Sequence, residues 1–450
     1  MQADRLAAKV ESFSLPASTF MDASVVIPTV KGIWTLKYGE HAYYFMNFRT
    51  SEGFSVKIRH SDIICPGLGR FKKAAARQGV PVSMFRCLSP RYHYGFHVLE
   101  QLMLMTVPHT VTSVGDGRFI VNLWSYCGYI VVDCRRRTAT YHSIEEGEED
   151  QILGSQQWFD PATSDLYAMS YSLSDSFARI ADPVRPVAFR IFKHRLGSPA
   201  TETVWAGELS DYMHDILINE THQYCVACEL GMHLDEKKNI IPSKVLILDL
   251  KNKRQWVLDK FIVAAHACFD PQDPNVVYFS NHNFEFQHSS ILQLLKKGAY
   301  SVKFRGAASI FKYELTPEGP REIGVFTRDD FYRLTNMHVF SHRKRKVIAA
   351  MGFPDEIFLI AADNMSFIRK IRIKDPVSIK HLYSREPALI GTISPSPDGE
   401  KLFVQTTKSF QIIDVDTGAP GYTLDYFFSH ICFNHMITSA DTRWERRDGE

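Results

Sequence analysis

Thr392-Ile-Ser-Pro-Ser-Pro-Asp-Gly399, followed by Lys401-Leu-Phe-Val-Gln405 and Phe410-Gln-Ile-Ile-Asp-Val-Asp-Thr-Gly418, is the stretch whose reading decides the fold. Pro-Asp-Gly is turn chemistry: Pro presets φ, Asp bonds its own backbone, and Gly accepts the left-handed conformation. The flanking runs are short and rich in β-branched and aromatic residues, so the stretch reads as strand, turn, strand, strand, turn.

Working outward, the unit recurs. His266-Ala-Cys-Phe-Asp-Pro271 precedes the strand Asn275-Val-Val-Tyr-Phe279, and Gln156-Gln-Trp-Phe-Asp-Pro161 precedes Asp165-Leu-Tyr-Ala-Met169. Further copies start at Val111, in Tyr212-Met-His-Asp215, in Asn336-Met-His-Val-Phe-Ser341 and in Phe428-Ser-His-Ile-Cys-Phe-Asn434. Aligning the turns puts Gln156, His214, His266, His338, Thr392 and His430 in one column, with His338 one position uncertain in register. Steps of this size mark radially repeated β units. The last copy is too short for four strands. Gly32–Tyr38 and His41–Phe48 supply the missing ones, a closure that removes free edges. The expectation is all-β: one seven-bladed β-propeller over residues 1–450, its N-terminal strands closing the ring. Partly helical capping insertions are expected at 59–109 and 283–306, with helices over Phe71–Gln78, His97–Met105 and Ser289–Lys297.

Composition narrows the function classes. The 52 Lys+Arg against 50 Asp+Glu leave a net charge of +2, which offers no field for nucleic acid or an acidic membrane surface. The basic runs 135–137 and 342–346 are expected at solvated turns. No run of about 20 apolar residues spans a membrane and no leader pattern opens the chain, so a cytoplasmic protein is expected. Eight cysteines are too few for a disulfide framework in a chain this long. Cys225 and Cys228 lie three apart on a strand, facing opposite sides, and read as core thiols. Nothing sets the oligomeric state.

Four of the 18 histidines, His214, His266, His338 and His430, fall in the column. Pointing at one axis they would ligate a divalent metal; a polar hydrogen-bonded cluster or a proton relay is the alternative. Neutral imidazoles leave the ion its full charge and open positions. Gln156, Asp215 and Glu229 are the expected supports around the ligands, with Asp270 a further acid. His282, one strand on, is the candidate to touch substrate. His93, His109 and His342 receive no role.

Two blades resemble the carotenoid cleavage oxygenases, propeller enzymes whose axial ferrous ion is held by four histidines. Ser155–Ser172 is similar to that family's Ala-His-Pro-x-x-Asp-Pro-x-Thr-Gly-Glu-Leu blade. Asp211-Tyr-Met-His-Asp-Ile-Leu-Ile-Asn-Glu220 is similar to its Met-His-Asp-Phe-x-Ile-Thr-Glu blade. The resemblance implies a ligand role for His214 and for His430, whereas Gln156 replaces the family's first ligand and His338 has no counterpart. Ala265–His282 also resembles the His-x-x-Phe-x-Pro-x-Asp-Pro blade of oligogalacturonate lyase, which implies an axial manganese.

Three functions follow. The first is a non-haem Fe(II) oxygenase acting on an apolar, unsaturated or aromatic small molecule. The second is a redox-inert lyase or isomerase, with Mn(II), His282 as base and Arg333 as anion anchor. The third is a non-catalytic interaction platform. No nucleophile elbow, phosphate loop or dinucleotide fingerprint adds another.

Overall fold

The structure, a computed structural model, describes the chain except for residues 1–2, 32–39, 65–67, 80–106, 125, 127, 144–149, 179–184, 197–200, 210–212, 230–240, 287–301, 334–335, 375–389, 407–408, 426–436 and 440–450. Its sheets are those of a seven-bladed β-propeller. Each blade is antiparallel, and in most of them consecutive strands are neighbours. Five have four strands: Gln151–Asp160 to Thr201–Leu209, Met213–Ile218 to Arg254–Phe261, Ala267–Phe269 to Gly319–Thr327, Met337–His342 to Ser366–Arg372, and Ile390–Pro395 to Pro420–Asp425.

The other two carry a fifth strand. Val107–Ser113 to Thr138–Ser143 is covered at its outer edge by Ala3–Arg5. The N-terminal sheet runs Ser24–Lys31, Glu40–Asn47, Glu52–Arg59 and Ala8–Ser14, and Ile437–Ser439 belongs to it as well. Glu40–Asn47 matches an expected strand. The other described partner is Ser24–Lys31, whereas Gly32–Tyr38 lies outside the described residues.

The chain divides into two compact units. The first is built on Met1–Tyr212, and the second on Met213–Phe286 with Val302–Thr438. Within the second, the middle strands are buried on both faces, as in Arg345–Gly352, where Val347 to Gly352 are all buried. Outer strands such as Arg254–Phe261 are largely exposed. Tyr224, Val226 and Cys228 of one blade pack with Val277, Phe279 and Tyr313 of the next. Fully burying one such side chain stabilises by roughly 1.5–3 kcal/mol, so the interleaved middle strands carry most of the core's stability.

Asx and Ser turns close the hairpins where the sequence placed them. Asp160 accepts the Ala162 amide, Asp270 those of Gln272 and Asp273, and Ser396 that of Lys401. The basic runs also sit at turns, with Arg137, Arg343 and Lys344 in the left-handed region.

A helix spans Leu68–Arg77, three residues before the expected start, and Gly79 (φ +67) follows it, the residue type that suits a helix exit. The expected helices His97–Met105 and Ser289–Lys297 lie outside the described residues. The second insertion begins and ends as a short ladder, Phe284–Phe286 on Val302–Phe304. An unforeseen helix, Leu173–Ala178, has its Ser174 amide held by Asp150. Among the described residues no helix is long and apolar enough to cross a membrane.

Candidate functional site

The site in the second unit starts from a register slip. In the strand Met213–Ile218, Met213 lies opposite Glu229 and Asp215 opposite Cys228, which leaves His214 as the extra residue of a β-bulge. A bulge re-aims side chains that simple alternation would send to opposite faces. Here His214 and the adjacent Asp215 both reach the next blade. His214 Nδ1–H donates to the Ala265 carbonyl at 3.1 Å, and Asp215 Oδ2 accepts the Ala267 amide at 2.9 Å.

Those bonds set His214 against His266. The ring centroids are 4.7 Å apart and the planes nearly perpendicular at 86°. His282 follows at 5.5 Å from His266. All three are buried, His282 completely. The bond to Ala265 puts the His214 proton on Nδ1 and its lone pair on Nε2. Ser280 Oγ donates to the His266 carbonyl at 2.9 Å, so His282 Nε2–H donates to Ser280 Oγ at 2.8 Å and the His282 lone pair lies on Nδ1. Such anchoring of one ring nitrogen is how proteins orient an imidazole whose other nitrogen binds something. Asp215 Oδ2 stands 3.9 Å from His266 Nδ1. Burial pushes the Asp215 carboxyl up to about 7, against the stabilising pull of the Ala267 and Ile216 amides. At neutral pH the site therefore holds three imidazoles and a half-protonated acid.

The other expected residues go elsewhere. His338 is half-buried beside Asn336, whose Nδ2 lies 3.4 Å from its Nε2 and donates to Thr392 Oγ1 at 2.9 Å. Burial holds His338 at about 4, with a hydrogen bond from its ring to the Ile393 main chain opposing. Glu229, placed beside the histidines as a support, accepts the Lys244 amide at 2.7 Å in its own sheet. Asp270 is a turn and ion-pair residue, accepting from Tyr278 Oη at 3.1 Å and Lys346 Nζ at 2.9 Å. Arg333 is fully buried, with Nη1 3.5 Å from Met337 Sδ, and burial pulls it down to about 9. His430 lies outside the described residues. Cys225 and Cys228 are buried free thiols, and burial pushes Cys225 up to about 12.

In the first unit, Gln156 lies in the slip between Leu153 and Gln157, and its Oε1 accepts from Thr110 Oγ1 at 3.0 Å. Thr110 and His109 fill the equivalent slip between Pro108 and Val111. His109 is thus a column residue that the sequence reading passed over. The signal was its place two residues before the Val111 copy.

Among the described residues, one group of three metal-type donors has its atoms within 4.8 Å of one another: His342, Glu400 and Asp416. There His342 Nδ1–H donates to the Gly399 carbonyl at 2.9 Å and Nε2 lies 3.0 Å from Asp416. Asp416 also pairs with Arg343. This is a partly exposed polar link between neighbouring blades, its charges already matched. The His214, His266 and His282 set is spaced more openly. No protein-family model matches the chain, and no curated protein matches it.

Proposed function

We propose that the chain is a divalent-metal enzyme whose ion is held by His214 and His266 with His282 beside them. The observation that carries the reading is the His214 bond to the Ala265 carbonyl, which fixes the tautomer and puts the lone pair on Nε2 of a ring packed 4.7 Å from His266. Metal–imidazole bonds of about 2.0–2.1 Å bring the ring centroids of two ligands to roughly 5 Å, and the observed 4.7 and 5.5 Å suit that spacing. Donor atoms on one ion lie no more than about 4.2 Å apart, so binding would draw the rings inward from their present spacing.

Fe(II) is the preferred metal and Mn(II) the next. An all-imidazole set keeps the ion's charge, and when bound it would supply Lewis acidity or dioxygen activation. Val263, Ala265 and Phe284, with Ile262 and Phe304, form an apolar cluster along the same loop. That surrounding favours an oxygenase acting on an apolar, unsaturated small molecule. The lyase alternative has less support, because Arg333, its anion anchor, is sealed from solvent.

One observation favours a non-catalytic reading. Thr110 to Gln156, His214 to Ala265 and Asn336 to Thr392 all link the inner strands of neighbouring blades. On that reading the column stitches blades together and the propeller is a binding platform.

Plasma mass spectrometry on untagged protein separates the two. About one equivalent of iron or manganese, lost in a folded His214→Ala/His266→Ala variant, is expected. Oxygen uptake then tests oxygenase against lyase. No metal in either protein, even after anaerobic reconstitution, would sink the metal reading.

A further inference from the structure

The N-terminal blade carries a second series of buried polar side chains. His41 and Tyr43 are two residues apart on the strand Glu40–Asn47 and share a face, while His60 opens the short helix that leaves Glu52–Arg59. All three are fully buried. Tyr43 Oη lies 3.3 Å from His41 Nδ1, and His41 Nε2 lies 2.8 Å from His60 Nδ1. The two imidazoles stack at 5.1 Å. His60 Nε2 is buried and has no hydrogen-bond partner among the described residues.

Each hydrogen bond holds one proton, so the series has two possible directions. If Tyr43 donates to His41 and His41 to His60, the single unmet donor is His60 Nε2–H. In the reverse direction the phenolic hydrogen loses its acceptor and His60 Nε2 becomes a buried lone pair, leaving two unmet groups. Unmet buried polar groups are the expensive ones, so the first direction is favoured.

We propose that His60 Nε2–H is the recognition donor of a buried ligand site in the N-terminal blade, held in that tautomer by His41 and Tyr43, and that its ligand presents a neutral carbonyl oxygen, as in an amide, ketone or ester. The donor type excludes a metal ion, which needs a lone pair at this atom. Charge excludes a carboxylate, because burying an anion against neutral donors forfeits its hydration without a countercharge. Burial holds His60 at about 4 and His41 well below the ordinary histidine value, and it raises Tyr43. The series therefore stays neutral near pH 7 and orients a hydrogen bond without moving a proton. The site is independent of the metal reading.

The test is long-range ¹H–¹⁵N spectroscopy of the full chain labelled at histidine, at pH 7, with the His60 signals assigned by His60→Gln. Should that variant fail to fold, Tyr43→Phe assigns them through the shift it causes along the series. The expected result is His60 protonated at Nε2, with saturable shifts on adding acetamide or acetone and none with acetate or Zn(II). Tyr43→Phe should lower the Nε2–H population and weaken the acetamide response several-fold. Protonation at Nδ1, a response to Zn(II) or acetate in place of the carbonyl probes, or no response to any of them overturns the proposal. So does a water cross-peak to Nε2–H that persists at saturating acetamide, which would make the site one of hydration only.

Discussion

His338 should make this protein acid-sensitive, and the size of the effect follows from its surroundings. Burial holds its imidazole at about 4 instead of the ordinary 6.5. The unfolded chain therefore takes up the proton first as pH falls. The stability His338 contributes is complete above pH 6.5 and is lost progressively down to pH 4. Between pH 7 and pH 5 linkage gives a loss of about 2 kcal/mol for a fully buried group. His338 keeps part of its surface, and solvent screening reduces the figure to about 1 kcal/mol.

The comparison is wild type against His338→Gln, which cannot titrate yet can still bond Asn336 and the Ile393 main chain. Urea unfolding at pH 7, 6 and 5 should show the wild-type midpoint falling relative to the variant by roughly 0.4 M, taking a slope of about 2–3 kcal/mol per molar. Only the difference is diagnostic, because Asp215, held up at about 7, works in the opposite sense and stabilises the fold on acidification. Parallel pH profiles for the two proteins would show that His338 is freely protonated in the folded state, and the burial argument would fail.

Gly399 and Gly115 offer a matched pair. Both have positive φ, but a Cβ at Gly399 would lie 1.9 Å from the Ser341 carbonyl whereas none of its surroundings crowd Gly115. Thermal melts should show Gly115→Ala losing about 1 kcal/mol and Gly399→Ala at least twice that. Asp270→Asn keeps the turn acceptor but takes from Lys346, 2.9 Å away, the closer of its two carboxylate partners, leaving Asp363 at 3.4 Å. We expect a loss of about 2 kcal/mol by urea unfolding, less than for a fully buried pair because Lys346 is partly exposed, with part recovered in Asp270→Asn/Lys346→Met. Cys225 and Cys228 should resist iodoacetamide at pH 8 in the native state and label only in denaturant, read by intact mass. His214→Gln can keep a donor for Ala265 while removing the ring lone pair. Stability within about 1 kcal/mol of wild type together with loss of bound metal is expected; retained metal would remove His214 from the ligand set.

The hairpin turns were legible because their chemistry is local. Asp-Pro and Pro-Asp-Gly specify a turn through their own backbones, and the structure places Asp160, Asp270 and Ser396 where the repeat put them. The bulges were not legible. A slip between Met213 and Asp215 or between Pro108 and Val111 depends on pairing with the next strand and leaves no mark in composition. That is why His109 fell outside the column and Asp215 read only as a neighbour of His214. It also accounts for His338: Met337–His342 pairs without a slip, Met337 with Ala350 and His338 with Ala349, so its histidine is one step out of phase with His214. The edge strands Ala3–Arg5 and Ala8–Ser14 escaped because a short outer strand needs no continuous apolar face.

What the stitching requires and what the histidines provide are different things. Linking one inner strand to the next needs one donor or acceptor, and Thr110, Gln156, Asn336 and Thr392 manage it with hydroxyls and amides. An imidazole at position 214 does the same with Nδ1 and then carries a second nitrogen into a buried place, where a polar atom is costly unless something meets it. Three such rings pack at 4.7 and 5.5 Å in two adjacent blades. The counterpart positions carry single histidines, His109 beside Thr110 and His338 beside Asn336, whereas His214, His266 and His282 are packed together. The asymmetry between the blades, more than the presence of histidine itself, is what argues for a bound ion.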